Sequence, residues 1–223
     1  QKKIGHTGTL DPDAEGVLPV CLGKATRVCD LLTDKNKEYV TVLKLGIETD
    51  TQDLTGKVIA KKDTSGLEPE TVREVIRSFV GAQEQIPPMY SAKKINGKKL
   101  YEYAREGVSV ERKPEMITIF EIEILKMELP EVTLRVSCSK GTYIRTLCHD
   151  IGQTLGTGGA MASLLRTRAA GYTLETAHRL AEIRALGETG DLSGILMPIE
   201  DVFSDLPYLC CNAEFDMALA NGS

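Results

Sequence analysis

The feature that most constrains the fold is a pair of neighbouring strand-like segments near the middle of the chain. Residues 116–125 have the sequence MITIFEIEIL and residues 132–138 have the sequence VTLRVSC, and both alternate in polarity and are rich in β-branched residues. The connection between them contains Pro130, which cannot take part in a ladder as a donor. The sequence therefore predicts two neighbouring strands joined by a short connection.

One further strand and two helices are predicted around this pair of strands. Residues 38–45, EYVTVLKL, alternate in the manner of a strand. Residues 70–80 place their apolar side chains on one helical face, and Gly81 follows where a left-handed C-cap is expected. Residues 143–155 have the same pattern, with Gly156 as the stop. Because strands and helices do not alternate regularly, we expect an α+β fold with a mainly antiparallel mixed sheet flanked by helices.

Composition excludes several classes of protein. The chain has 223 residues, of which 42% are hydrophobic and 26% are charged, as in an ordinary globular protein with its own core. No apolar run approaches the roughly 20 residues that a membrane helix needs. The six cysteines and three histidines show no CxxC pair and no repeated short spacing, so no metal site is predicted. Scattered free cysteines favour a reducing, cytoplasmic compartment.

The charge is unevenly distributed. The formal net charge of −5 argues mildly against a nucleic-acid partner, but residues 172–223 carry two basic and nine acidic residues and account for the excess. Residues 93–113 are basic and contain Tyr101 and Tyr103. This mixture is typical of a surface that follows a nucleic-acid backbone and stacks on bases, and also of a solvated lysine-rich hairpin. The four lysines at its start are Lys93, Lys94, Lys98 and Lys99.

The segment richest in chemical signals is GHTGTLDPDAEGVLPVCLGKATR at residues 5–27. Asp11 precedes Pro12, a pair that favours a turn and can present the carboxylate to a ligand. A plain Asx turn would have the same sequence. A glycosidase pair of Asp11 and Asp13 is disfavoured, because neighbouring turn residues rarely hold carboxyl groups about 5 Å or more apart on opposed faces.

A second segment, CSKGTYIRTLCHDIG at residues 138–152, combines a strand end, a glycine and a helix start. Arg145 falls in the first turn of an otherwise apolar helix face. A buried guanidinium needs a carboxylate partner, and Asp11 is a candidate. The arginine would then lower the pKa of that carboxylate. The alternative is an exposed arginine at a helix start.

These segments resemble, in order, the motifs of a known family. GHTGTLDPDAEGVL with CLGKATR resembles the motif that carries the catalytic aspartate in the TruB family of tRNA pseudouridine synthases. Further segments resemble the family's later blocks in sequence order, at residues 37–56, 87–107, 138–152, 164–174 and 195–201. The resemblance implies the pseudouridine synthase fold and the isomerisation of a uridine in RNA.

The resemblance also implies roles for individual residues. Asp11 matches the catalytic aspartate, Tyr39 the tyrosine that stacks on the uracil and assists proton removal from C5, and Arg145 the arginine that pairs with the aspartate. His6 matches a histidine in the RNA-binding cleft that helps to splay out the target nucleotide. Other matches to residues that line the same site are Arg27, Asp53, Tyr143 and Leu164.

The implied substrate is uridine 55 in the TΨC loop of tRNA, recognised mostly through the shape of the T-arm. The target base must leave the stack to be reached, which is easiest in a loop. We expect the phosphate contacts to come from Lys93, Lys94, Lys98 and Lys99. The resemblance implies no cofactor, no metal, no membrane association and no obligatory protein partner, and hence a cytoplasmic monomer.

Two domains are expected from the resemblance. Residues 1–201 match the catalytic domain without the family's first strand and helix, and residues 202–223 resemble the start of a truncated PUA-like RNA-binding domain. The short form DPDAEGVL resembles stand-alone bacterial enzymes more than relatives that work with guide RNAs. Two other functions stay open: a tRNA-binding or chaperone module that does not need Asp11, and a sugar-acting hydrolase in which Asp11 is the nucleophile.

Overall fold

A computed structural model of the protein describes residues 3–204, 206 and 207. The described residues up to Ala177 form one compact unit, and those from His178 onward form a second. The boundary at residue 201 therefore stays a prediction. The expected PUA-like start at residues 202–223 lies mostly outside the described residues.

The first unit contains all the strands of the described chain. In chain order they are β1 (Ile4–His6), β2 (Glu15–Gly16), β3 (Val20–Leu22), β4 (Lys37–Leu45), β5 (Ile47–Thr49), β6 (Val58–Lys61), β7 (Gly81–Gln85), β8 (Lys94–Ile95), β9 (Lys98–Lys99), β10 (Glu115–Glu128), β11 (Glu131–Cys138), β12 (Gly159–Ala169) and β13 (Tyr172–Thr173). Its α-helices are α1 (Cys29–Thr33), α2 (Pro69–Ser78), α3 (Leu100–Arg105) and α4 (Ile144–Thr154). Its 3₁₀ helices are Gly23–Val28 and Leu174–Thr176.

The main sheet has seven strands in the order β13-β12-β4-β11-β10-β7, with β2 paired alongside β12. The β2–β12 pair is parallel, and every other pair in this sheet is antiparallel. Strands β10 and β11 are the two predicted neighbouring strands, and they pair antiparallel as a hairpin. The expected α+β fold with a mainly antiparallel mixed sheet is confirmed.

The core lies between one face of this sheet and the helices α2 and α4. Strand β4 alternates between buried and half-buried positions over its whole length, as the period of a strand requires. Helix α4 packs on β12 and β4 through Leu147 and Ile151, and α2 contributes Val72 and Ile76. Each such side chain contributes about 1.5–3 kcal/mol when fully buried.

The two predicted helices end in different ways. Helix α4 stops at Thr154, and Gly156 follows with a φ of +75°, as predicted. The prediction of Gly81 as the C-cap of α2 is wrong, because α2 ends at Ser78 and Gly81 begins β7. The amides of Phe79 and Val80 bond carbonyls three residues back, so the last turn tightens without a left-handed residue.

The second unit is built from helical turns. It contains α5 (Leu180–Thr189) and the 3₁₀ helices Ser193–Ile195 and Ile199–Phe203. Gly190 ends α5 in the left-handed conformation. In the part of the chain that the structure describes, no helix is long and apolar enough to cross a membrane.

Candidate active site

Segments distant in sequence line one cleft with a volume of about 680 Å³. The loop that carries Asp11 forms part of its wall, and strands β4 and β12 contribute residues from the sheet. The start of α4 and the extended segment around Tyr90 also contribute to the lining. The predicted site residues found in this lining are Asp11, Tyr39, Asp53, Tyr143, Arg145 and Leu164.

Arg145 and Asp11 form a two-point ion pair. Arg145 Nε lies 2.9 Å from Asp11 Oδ2, and Arg145 Nη2 donates to Asp11 Oδ1 at 2.9 Å. This fork geometry is the strongest arrangement available to a guanidinium and a carboxylate. The prediction that Asp11 is the partner of a buried Arg145 is therefore confirmed.

The start of helix α4 is fixed by a side chain from another strand. The amide of Tyr143 donates to Gln85 Oε1 at 2.8 Å, and Gln85 Nε2 donates to the Tyr143 carbonyl at 3.1 Å. Gln85 ends β7 and is buried, so these bonds hold the first turn of the helix against the sheet. Arg145, two residues further along, is thereby directed into the cleft.

Every nitrogen of the Arg145 guanidinium has an acceptor. Besides Asp11, Nη2 donates to the Tyr90 carbonyl at 2.9 Å, and Nη1 donates to the Thr51 carbonyl at 3.2 Å. Nη1 also lies 3.5 Å from Asp53 Oδ2. Arg145 thus connects the loop that carries Asp11 to two other chain segments and holds the carboxylate of Asp11 in a defined orientation.

The pKa of the Asp11 carboxyl is raised above its ordinary value. Burial is the largest cause, the negative charge of Asp53 adds to it, and the charge and hydrogen bond of Arg145 oppose both. Arg145 does lower the pKa, as the sequence predicted, but burial and Asp53 outweigh it. The carboxylate is therefore more basic than an ordinary aspartate once it is ionised.

Asp53 contacts Arg145 and is itself held by hydrogen bonds from its own loop. Its Oδ1 accepts hydrogen bonds from Thr51 Oγ1 at 2.7 Å, from Thr55 Oγ1 at 2.5 Å and from the Thr55 amide at 3.0 Å. Its other oxygen faces Arg145. The carboxylate of Asp53 is thus occupied within the protein, and it orients the guanidinium.

Tyr39 lies on β4 in the cleft wall and is 7% exposed. Burial raises the pKa of its phenol to about 12, although the nearby charge of Arg166 acts in the opposite direction. The phenol is therefore protonated at neutral pH. The side chain both lines the cleft and packs in the core.

Two predicted site residues lie outside the lining of this cleft. His6 ends β1 and is exposed, with its Nδ1 accepting a hydrogen bond from the Gly8 amide at 3.3 Å. Arg27 is exposed on the 3₁₀ helix that follows β3. Their roles in binding RNA stay predictions.

The basic segment forms a short hairpin, β8–β9, which leads directly into α3. The turn residues Asn96 and Gly97 both have positive φ, as a tight hairpin requires. Two residues of α3, Tyr101 and Arg105, reach the lining of the cleft. The basic segment is thus continuous with the candidate active site.

Most of the predicted phosphate-contacting lysines already have partners in the protein. Lys93 pairs with Glu115, and Lys98 pairs with Glu106. The ammonium groups of Lys98 and Lys99 lie 4.7 Å and 5.4 Å from the ring centres of Tyr103 and Tyr101. The side chain of Lys94 is exposed.

Sequence reasoning missed two buried cations in the cleft lining. Arg166 is 2% exposed and Lys37 is 8% exposed. Lys37 Nζ donates to the carbonyls of Thr33 and Lys35 at 2.7 Å each, at the end of α1. Each cation lies two residues from a predicted site residue on the same strand, and that spacing puts both on the same face. The alternation was the signal that could have found them.

Solved structures share this architecture. A crystal structure of a Cbf5–Nop10–Gar1 complex matches 100% of this chain with a TM-score of 0.73 and 30% identity, and the chain spans 59% of that protein. A structure of an H/ACA RNP bound to a substrate RNA containing 2′-deoxyuridine matches 100% of the chain with a TM-score of 0.71 and 28% identity, and the chain spans 58% of it. Together, the sheet and the aspartate–arginine cleft define an enzyme with the pseudouridine synthase fold.

Sequence comparison gives the family within that class. Residues 1–144 match the model of the TruB family pseudouridylate synthase N-terminal domain, and residues 145–204 match that of the tRNA pseudouridylate synthase B C-terminal domain. The tRNA pseudouridine synthase B of Alkaliphilus oremlandii is 46% identical over 100% of this chain and 73% of its own length. That of Lachnoclostridium phytofermentans is 52% identical over 100% and 75%. The chain belongs to the TruB family of tRNA pseudouridine synthases, which confirms the predicted family and enzyme class.

Proposed function

We propose that this chain converts uridine 55 in the TΨC loop of tRNA to pseudouridine, with the carboxylate of Asp11 as the catalytic group. The observation that carries the proposal is the two-point ion pair between Asp11 and Arg145 in the cleft wall. The Arg145 side chain is 6% exposed, whereas that of Asp11 is 33% exposed. The arginine is thus the buried support, and the acid is the member of the pair that a substrate in the cleft can reach.

The chemistry of the reaction requires a group of this kind. The N1–C1′ bond of uridine breaks and a C5–C1′ bond forms, while a proton leaves C5 and another arrives at N1. Atoms and electrons balance without a redox change or an external nucleophile, so the reaction itself needs no cofactor. Attack on C1′, attack on C6, and proton abstraction at C2′ all use one ionised carboxylate. Asp11 supplies it, held by Arg145 in a fixed orientation.

Tyr39 is suited to hold the flipped base. Taking a base out of the stack costs a few kcal/mol, and stacking on an aromatic ring returns about 1–3 kcal/mol. Burial raises the pKa of the Tyr39 phenol to about 12, so its hydroxyl can donate a hydrogen bond. We propose that the ring stacks on the uracil and that the residue assists proton removal from C5.

The environment of Asp53, a buried acid in the cleft lining, disfavours a sugar-acting hydrolase. A hydrolase would need another carboxyl group free to act across the substrate from Asp11. Asp53 is 9% exposed, and both of its oxygens face partners within the protein. This arrangement supports a single catalytic carboxylate.

We propose that the T-arm lies along α3 and the β8–β9 hairpin. Tyr101 and Arg105 connect this surface to the cleft. Among the four predicted lysines, Lys94 has an exposed side chain that can bind a phosphate directly. Lys93 and Lys98 would first have to release their carboxylate partners, Glu115 and Glu106. Recognition through shape and phosphate contacts agrees with such a mixed surface.

We further propose that the enzyme works as a cytoplasmic monomer without an obligatory protein partner. We also keep the assignment of residues 1–201 as the catalytic domain and 202–223 as the start of a PUA-like domain. Light scattering of the purified chain during turnover of a tRNA transcript checks that the enzyme works as a monomer. A concentration-dependent change of mass that tracks activity would contradict it.

Nucleoside analysis of a tRNA transcript after incubation with the protein tests the proposed function. The parent and an Asp13→Asn variant should convert one uridine to pseudouridine, and Asp11→Asn should convert none. A transcript with cytidine at position 55 should stay unmodified. Release of free uracil would indicate the hydrolase, and tight binding by the parent without any modification would indicate a binding module.

A further inference from the structure

Arg166 is a buried cation without an acidic partner. Its exposed fraction is 2%, and no ion pair to it occurs in the part of the chain that the structure describes. A guanidinium is costly to bury, and a carboxylate normally offsets that cost. The position of Arg166 in the wall of the cleft therefore requires an explanation other than a structural ion pair.

The hydrogen bonds of Arg166 go to both ends of the loop that carries Asp11. Arg166 Nε donates to the Val17 carbonyl at 2.7 Å, and Nη2 donates to the Gly8 carbonyl at 3.2 Å. These two carbonyls bracket the turn at Asp11. One planar side chain thus closes the loop at its base.

The backbone of Arg166 holds the same loop. Strand β2 runs parallel to β12 with Gly16 opposite Arg166, and the Val17 amide donates to the Arg166 carbonyl at 2.9 Å. A Cβ atom at Gly16 would lie 2.1 Å from that carbonyl oxygen, and the φ of Gly16 is +113°. The approach is therefore possible only for glycine.

Arg166 also lies directly opposite Tyr39. The two residues are register partners on the neighbouring strands β12 and β4. The guanidinium is close enough to the Tyr39 phenol for its charge to act on it. A single side chain is thus in contact with the loop of the carboxylate and adjacent to the aromatic ring proposed to hold the base.

We propose that Arg166 is a positioning residue that sets the separation between the Asp11 carboxylate and the Tyr39 ring. The inference rests on the proposed catalytic role of Asp11. Arg145 orients the carboxylate group, and Arg166 fixes the backbone from which that carboxylate projects. Lysine cannot replace Arg166 in this task, because a single ammonium on a flexible stem does not present a rigid fork to two separate carbonyls.

The test compares Arg166→Lys and Arg166→Met with the matched variants Arg168→Lys and Arg168→Met. Arg168 lies two residues further along β12, its side chain is 47% exposed, and it pairs with Glu38 at 3.5 Å. Single-turnover release of tritium from C5-labelled tRNA and the Kd for tRNA are measured for each variant, at a temperature at which near-UV circular dichroism shows it folded. Displacement of a catalytic group by about 1 Å costs about 100-fold in rate, so Arg166→Lys should lose about that factor while its Kd stays within about threefold. The Arg168 variants should match the parent.

Hydrogen exchange tests whether Arg166 acts through the loop that carries Asp11 rather than through the core as a whole. The amides of Ala14 and Val17 bond to the Asp11 and Arg166 carbonyls, and both should exchange faster in Arg166→Lys while the amides of β10 and β11 keep their protection. An unchanged rate in folded Arg166 variants would overturn the proposal, as would a loss confined to tRNA affinity, which would indicate direct phosphate contact. Failure of both Arg166 variants to fold would also overturn it in favour of a general core role. Activity in Asp11→Asn would instead refute the proposed function itself.

Discussion

Replacing Arg145 with lysine separates the charge of this residue from its geometry. Arg145 donates to both oxygens of Asp11 and to the carbonyls of Tyr90 and Thr51. A lysine keeps the positive charge, but its three donors radiate from one atom and cannot span these acceptors. The variant should therefore retain the electrostatic attraction and lose the two-point hold on the carboxylate.

The expected magnitude follows from these contacts. Removing one partner of a buried ion pair costs about 3–5 kcal/mol, and the partial exposure of Asp11 places the loss for Arg145→Met at the lower end, about 3 kcal/mol. Arg145→Lys keeps the charge and should lose about 1.5–3 kcal/mol, the value of a hydrogen bond to a charged group. The single-turnover rate should fall by about 100-fold, because the carboxylate is no longer fixed in orientation.

Urea unfolding followed by circular dichroism measures the stability, and tritium release from C5-labelled tRNA measures the rate. Arg135→Lys is the matched control, because Arg135 pairs with Glu123 on the exposed surface with a 45% exposed side chain. That variant should lose less than about 1 kcal/mol and keep its rate. If Arg145→Lys matched Arg135→Lys in both measurements, the two-point geometry would have no role in stability or catalysis.

Three further predictions concern the pH profile, the aromatic ring and the basic hairpin. Burial raises the pKa of Asp11 above 3.8, and we propose that the ionised form is the active one. The value of kcat/KM should therefore fall as pH decreases through that raised pKa, and Asp53→Asn should move this acid limb to lower pH. Tyr39→Phe should lose far less of the single-turnover rate than Tyr39→Leu if the ring acts by stacking; equal losses would assign the role to the hydroxyl. Lys94→Ala should reduce the salt slope of tRNA binding by about 1, and Lys98→Ala by less, because Lys98 already pairs with Glu106; equal slopes in salt titrations would contradict this.

The sequence predicted those parts of the site in which the residue type itself restricts the partner or the structure. An arginine buried in an apolar helix turn needs an acid, so Asp11 could be named as a candidate partner of Arg145 across 134 positions. The two neighbouring strands at residues 116–125 and 132–138 were predictable for the same kind of reason, since alternation in polarity over each segment indicates a strand.

The role of Arg166 could not be predicted, because its acceptors are backbone carbonyls, and every residue carries one. The net direction of the Asp11 pKa shift was also hidden, since it depends on how deeply the assembled cleft buries the carboxyl. Gly81 misled the prediction of a helix end because two amides closed the last turn of α2 instead. In each case the deciding partner was the backbone or the solvent, neither of which appears in a pattern of side chains.

The claim that Asp11 carries the chemistry is tested most directly with tRNA labelled with tritium at C5 of uridine 55 alone. The parent and Asp13→Asn should release this label into water at the same single-turnover rate, while Asp11→Asn binds the tRNA with unchanged affinity and releases none. Release by Asp11→Asn at the rate of the parent would contradict the assignment of Asp11 as the catalytic carboxylate.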